Sequence, residues 1–379
     1  MKLSTFSFEP VDGWSVSAFP AMDSEQTLVM VFASPEYLEQ PSALEELADA
    51  YPTSQIIGCS TAGEIAGALV NDTSLSVAVM QFERSSIESA AAEVKQPGDS
   101  FAVGKQLGAQ LNRSRLTAVF VLADGLSVNG SALLDGLYAT LPKNVMITGG
   151  LAGDGDRFER TWVIHNRKPA SDAVTAVGFY GKHLRIAHGA RNGWDGFGPE
   201  RRITRSDGNV LYELDGKPAL ALYKEYLGAR ASALPATGGL FPLSIRRDSG
   251  SNSQQVRTML AIDEAKQSIT FGGDMPSGGI ARLMRTNFDR LVKGAAEAAG
   301  QAANNLAPHG PTLAVTVSSA GRRLVLGERT EEETETTLAQ LPSGSSQVGF
   351  YSYGEFSAHT SGACELHNQA VTMTTFSEM

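Results

Sequence analysis

Three stretches of this chain share one punctuation: an apolar residue, then six positions on a small-residue turn ending in Gly, and an acid directly after it. They run from Ile57 to Gly63-Glu64, from Ile147 to Gly153-Asp154 and from Val348 to Gly354-Glu355. Thr27 and Thr117 each open an apolar, strand-like run 36 residues before the glycine, and Thr312 does so 42 residues before it. Self-similarity of this kind constrains architecture before it says anything about chemistry. It predicts one β-α-β-turn-β unit used three times, with the Gly-acid turns gathered on one rim.

Length and composition leave room for such a plan. A chain of 379 residues with 42% hydrophobic content can bury large cores. The formal charge of −10, without a clustered basic footprint, argues against a nucleic-acid surface. Arg201-Arg202, Arg246-Arg247 and Arg322-Arg323 read as isolated, solvated pairs. The N-terminal residues lack the apolar stretch of a signal peptide, and no window is long and apolar enough for membrane insertion. Cys59 and Cys364 are the two cysteines, at unrelated spacings, so no disulfide framework is expected and a cytoplasmic location fits.

Periodicity fills in the elements. Strands are predicted over 27–33, 54–57 and 74–82, with a helix over 43–50; the second unit repeats this with strands over 116–123, 145–148 and 174–180 and a helix behind Asn129. Residues 184–188 read as the hairpin partner of 174–180, and 189–198 as an irregular Gly-rich loop. A helix over 218–227 ends at Gly228 and marks a candidate domain boundary. Beyond it come strands over 240–245, 256–262 and 268–271, a break at 272–276 and the longest helical pattern, 280–304. The third unit closes the chain with strands over 313–317, 348–351 and 371–376 and a helix over 331–341. The fold class is α/β, with mixed sheets covered by helices and repeated units in two adjacent domains.

Familiar catalytic fingerprints are missing. Ser60 lies in Gly58-Cys59-Ser60-Thr61-Ala62, which lacks the second glycine of a nucleophile elbow, and there is no phosphate loop, no dinucleotide fingerprint and no HExxH. An enzyme would have to use Cys59 or Cys364, although a small buried thiol explains either without chemistry. Cys364, Glu365, His367 and His359 cluster in sequence, but their spacing fits no strong zinc pattern, and strand alternation turns Cys364 and His367 to opposite faces. His309, beside Gly310, reads as loop. His188 differs, because it stands where an apolar strand meets the aromatic loop containing Trp194 and Phe197.

Four segments carry a family resemblance. Val348 to Glu355 followed by Cys364-Glu365-Leu366-His367-Asn368-Gln369, together with Gly58 to Glu64, the stretch from Asn209 to Tyr223 with Leu214-Asp215-Gly216-Lys217-Pro218-Ala219, and Gly273-Asp274-Met275-Pro276-Ser277-Gly278, resembles FIST proteins, named for F-box and intracellular signal-transduction proteins. The resemblance covers about nine-tenths of the chain and implies a FIST N domain over 24–216 and a FIST C domain over 217–379. It also implies a bacterial sensory ligand-binding protein, not an enzyme, acting on a separately encoded partner such as a sensor histidine kinase. The segment 188–199 is similar to the stand-alone branch that senses nitric oxide through haem b; there His188 would ligate the iron, with Trp194 and Phe197 as cofactor-binding walls. The alternative is a FIST sensor for small ligands such as amino acids, with Glu64, Asp154, Glu355 and His367 as ligand-binding residues.

Overall fold

Thr27–Ala33, TLVMVFA, is buried along its whole length, and a strand covered on both faces needs such a continuous apolar run. Its alternation nevertheless sorts two cores: Leu28, Met30 and Phe32 face the centre of the molecule, while Val29, Val31 and Ala33 face the helix Ser42–Ala50. In this computed structural model residues 1–234, 236–248, 255–304, 306, 310–358 and 364–379 are described. His309 and His359 lie outside them.

Each repeat has the same core. Thr27–Ala33 runs parallel to Gln55–Ser60 and antiparallel to Leu75–Gln81. In repeat two Leu116–Ala123 stands likewise between Met146–Leu151 and Ala173–Tyr180, with the helix Gly130–Tyr138 as crossover. In repeat three Leu313–Ser319 stands between Ser346–Ser352 and Val371–Glu378, with the helices Ala320–Leu326 and Thr330–Ala339 between them in sequence. The inner faces of all three sheets share one core, in which Phe32 stacks on Phe350 at 4.8 Å and Phe179 meets Phe376 at 5.1 Å.

The sheets are interlocked. After each Gly-acid turn the chain leaves its own sheet and adds a hairpin to another. Glu64–Ala66 joins repeat three beside Ser346–Ser352, Val163–His165 joins repeat one beside Gln55–Ser60, and Gly354–Ala358 joins repeat two beside Met146–Leu151. The exchange is cyclic, so no repeat completes its sheet alone. Beyond the closing strands lie Lys2–Glu9, itself edged by Gly13–Trp14, on the first sheet, Ser86–Glu93 on the second and Leu184–Arg191 on the third. This corrects the expected 174–180/184–188 hairpin: Ser86–Glu93 already fills that edge, and Leu184–Arg191 pairs with Val371–Glu378 instead.

Between Leu184–Arg191 and the helix Phe288–Ala302 the chain inserts a separate nine-stranded sheet, spanning 195–285, with the helix Ala219–Leu227 packed on its own core. The expected helix over 280–304 begins later. Ile280–Arg285 alternates in burial and pairs with Leu243–Arg246, and Asn287 caps the helix by accepting from the Arg290 amide at 3.0 Å. The boundary expected at 216/217 falls within this inserted sheet, where Val210–Leu214 pairs with Lys217–Pro218. Two of the other sheets likewise take strands from both sides of that boundary, as where Glu64–Ala66 lies beside Ser346–Ser352 and Gly354–Ala358 beside Met146–Leu151. Arg322 departs from its expected solvated role: it is fully buried, donating to Glu333 at 2.5 and 2.9 Å and to the carbonyls of Asn192 and Leu291. That pair joins the helices of repeat three to the entry of the inserted segment.

Candidate functional site

The three Gly-acid turns do converge, but on one another. Ala62 donates its amide to the Tyr351 carbonyl at 2.8 Å, Gly153 to Ser60 at 3.0 Å and Tyr353 to Leu151 at 3.3 Å. A Cβ at Gly153 would stand 3.0 Å from the Ala62 nitrogen, so the turns leave little room there. Glu64 is buried; one oxygen accepts from Thr61 and the other from the amide and hydroxyl of Ser74, both at 3.0 Å. Glu355 is its counterpart, accepting from Ser352 at 2.7 Å and the Ala370 amide at 3.1 Å. Each carboxyl holds the start of its closing strand. Burial pushes both up to about 8.

Repeat two breaks the rule. The amide before its closing strand, Asp172, donates at 3.0 Å to Asp124, a residue at the end of the first strand. Asp154 is thereby released and instead gathers the amides of Phe158, Glu159 and Arg160 at 3.1, 2.8 and 2.8 Å, together with the Tyr353 hydroxyl. Glu64, Asp154 and Glu355 are thus each engaged by their own chain beneath the surface. They do not form the open, ligand-facing rim expected from sequence.

The residues expected to hold haem do not fit it in this arrangement. His188 Nδ1 lies 3.1 Å from Thr374 Oγ1, and Nε2 lies 2.9 Å from Ser357 Oγ, so both ring nitrogens are engaged. Desolvation draws the ring down to about 4, which keeps the imidazole neutral. The Cβ that Gly189 lacks would fall 2.0 Å from the Ala298 carbonyl oxygen, showing how closely the helix Phe288–Ala302 covers the strand. Trp194 turns away, donating Nε1 to the Gln369 carbonyl at 3.1 Å and packing with Val256, Leu291 and Leu326. Phe197 lies on the inserted sheet under the Arg285 guanidinium. His188, Trp194 and Phe197 therefore wall no common space.

Cys59 and Cys364 are buried, and burial pushes both thiols up, away from the thiolate that nucleophilic chemistry needs. Cys364 and His367 point to opposite sides of Cys364–His367, as the alternation predicts. Among the described residues no group of three His, Cys, Asp or Glu could hold a metal ion.

An open site lies elsewhere. A cleft of about 310 Å³ forms where the C-terminal ends of Leu116–Ala123 and Met146–Leu151 meet the inserted sheet. Repeat two supplies Gly125, Leu126, Ser127, Val128, Asn129 and Leu151; Phe158 and Tyr353 form one wall, and Asn209, Leu260, Phe271, Gly272 and Gly273 come from the inserted sheet. Asp124 shapes the near loop by accepting the Leu126 and Ser127 amides at 2.9 and 3.0 Å and the Thr161 hydroxyl at 2.7 Å. Asn129 caps Gly130–Tyr138 through the Ala132 amide at 3.1 Å and reaches Asp274 at 3.2 Å, tying the cleft's two sides together.

Phe158 stacks on Tyr353 at 4.7 Å and 13°, although its backbone is held at φ +52°, a region that costs a bulky residue free energy. Asp154 enforces it by accepting the Phe158 amide. Of the large apolar side chains left in solvent among the described residues, Leu126, Phe158 and Leu260, 43%, 52% and 42% exposed, line this one cleft together.

Behind the far wall, Arg257 is fully enclosed and donates to the carbonyls of Asp274 at 3.2 Å and Leu366 at 2.9 Å. Burial lowers it to about 10, still cationic at neutral pH. Asn368 donates its amide to Val256 at 3.3 Å and its side chain to Tyr353 at 3.1 Å, and Gln369 donates to Gly239 at 2.9 Å. The Asn-Gln string thus seats the inserted sheet on the core. Sequence reasoning missed Ser127, Phe158, Leu260 and Phe271; Asn129 was legible as a helix start and 272–276 as a sheet break, though not as one place.

The comparisons with known proteins agree with the quoted segments. The FIST N domain matches residues 27–217 and the FIST C domain residues 219–358, and the chain belongs to the FIST family, whose domains are associated with sensing in signal transduction. An uncharacterised protein of Methanocaldococcus jannaschii is 26% identical over 267 residues, 64% of this chain and 50% of its own length. The chain thus spans about half the length of that relative. An uncharacterised protein found in two strains of Mycobacterium tuberculosis is 23% identical over 331 residues, 85% of this chain and 83% of its own. Among solved structures, the cyanuric acid hydrolase of A. caulinodans aligns over 93% of this chain and 89% of its own at 8% identity and a TM-score of 0.34, too low to inform fold or function.

Proposed function

We propose that this chain is a sensory protein whose small ligand enters the cleft between repeat two and the inserted sheet. The observation that carries the reading is that the cleft's walls come from two bodies, joined covalently only at 192–194 and 286–287 and otherwise seated by the packing of Val256 and Met284 on Leu291 and Leu326 and by hydrogen bonds such as Asn129 to Asp274. A ligand touching both walls favours one seating of the inserted sheet, and a second protein reads the altered surface. A sensor histidine kinase is the partner class that the family resemblance implies, and partner and ligand are both part of the proposal.

The small-ligand reading takes precedence over haem because the cleft is open while His188 has both nitrogens engaged. Haemin titration separates the two. A Soret band that appears with haemin and is lost in His188→Ala would restore the haem reading. The cleft itself is tested by a thermal-shift screen of small metabolites on the full chain and on Leu260→Arg. Hits should disappear in the variant; hits that persist undiminished would place the ligand elsewhere.

A further inference from the structure

Resting on the cleft as the ligand site, we infer that its ligand is an uncharged aromatic molecule carrying a hydrogen-bonding group at one edge, not a zwitterion or an anion. Among the described residues, none that lines the cleft bears a charged side chain. Its surroundings hold charges, but these are engaged: Asp124 and Asp154 accept from amides and hydroxyls on both oxygens, Arg257 donates to carbonyls and to Gln255, and Asp274 accepts from the Asn129 side chain and has the Arg257 cation as its counter-charge. Arg157, near the rim, is held by the Asp154 carbonyl at 2.7 Å and by Glu36. An ammonium or carboxylate entering here would give up its water for no counter-charge.

What the cleft offers is complementary to a flat apolar ring. Phe158 and Tyr353 present a stacked aromatic pair, and Leu126, Val128, Leu260 and Phe271 supply the remaining apolar surface. The loop held by Asp154 fixes the Phe158 ring before any ligand arrives, which reduces the ordering that binding requires. Among the described residues that line the cleft, one buried side-chain hydroxyl is left without a partner. Ser127 Oγ is buried beside the cleft with no hydrogen-bond partner among the described residues, and a buried hydroxyl without a partner is an exception that a ligand's polar edge would resolve. A volume near 310 Å³ is at the small end for ligand sites and suits a one- or two-ring molecule.

Calorimetric titration of the full chain with four probes tests this: indole and benzamide, which are neutral, against benzoate and phenylalanine, which place charge on a comparable ring. The expected result is saturable binding of a neutral probe at least tenfold tighter than of either charged one. Phe158→Ala, which removes a half-exposed ring, should weaken it at least tenfold, and Ser127→Ala should weaken benzamide more than indole. Leu260→Asp on the opposite wall provides a second variant should Phe158→Ala fold poorly. Charged probes that bind as tightly and depend on Phe158, or no binding of either neutral probe at millimolar concentration, would overturn the ligand class while leaving the cleft as the site. Binding indifferent to both Phe158→Ala and Leu260→Asp would overturn the cleft reading itself.

Discussion

Repeats one and three spend their turn acids on the same task, whereas repeat two does not. Glu64 and Glu355 pin the amides that open their closing strands, and their turns are sealed. In repeat two Asp124 has taken over that task, and the freed Asp154 holds a loop that carries Phe158 to the cleft. Three copies of one unit build the scaffold, and the copy that departs from the pattern opens the site. The repeat alone therefore points to the wrong acids for ligand binding.

The largest effect should come from removing the substitute. Asp124→Ala strands the amides of Leu126, Ser127 and Asp172 and the Thr161 hydroxyl, so denaturant unfolding should show a loss of about 3 kcal/mol or more and cleft ligands should no longer bind. A stability change within about 0.5 kcal/mol would mean that the exchange of roles carries no energetic weight.

The sealed turns make a pH prediction with a definite sign. Glu64 and Glu355 are raised from 4.5 to about 8 by burial, so the folded state retains protons that the unfolded state has released. Stability should fall as pH rises from about 4.5 to 8, and this slope should flatten in the double variant Glu64→Gln, Glu355→Gln. Melting temperatures across that window decide it. A wild-type curve that rises there, or a double variant as steep as the parent, would show that both carboxyls are ionised in the folded protein.

The smallest stability effect belongs to the open turn. Phe158→Gly relieves the positive φ while losing an exposed ring, so the melting temperature should hold or rise by an amount equivalent to about 0.5–1 kcal/mol while ligand binding is lost. A clear loss of stability would show that the ring serves the fold more than the site.

The sequence announced the repeats, because fully buried strands read as apolar runs and the Gly-acid turns recur at fixed distance. It could not announce the exchange of hairpins, since a strand's partner depends on which edge is already occupied, as Leu184–Arg191 shows. Arg322 looked solvated because its partner Glu333 lies in an acidic helix that itself reads as surface. The cleft was harder still. Its walls come from residues as distant as Ser127, Phe158, Leu260 and Tyr353, none of which forms a motif with the others, and its diagnostic signs are a positive φ and an unsatisfied hydroxyl, which arise only in the folded chain.

Amide hydrogen exchange of the full chain, with and without saturating benzamide, locates the ligand site. Protection is expected only at 124–130, 154–158 and 271–273, where repeat two and the inserted sheet face each other. Protection centred instead on 57–64 and 348–355, or on 188–199, would contradict this and return the site to the sealed turns or to the surroundings of His188.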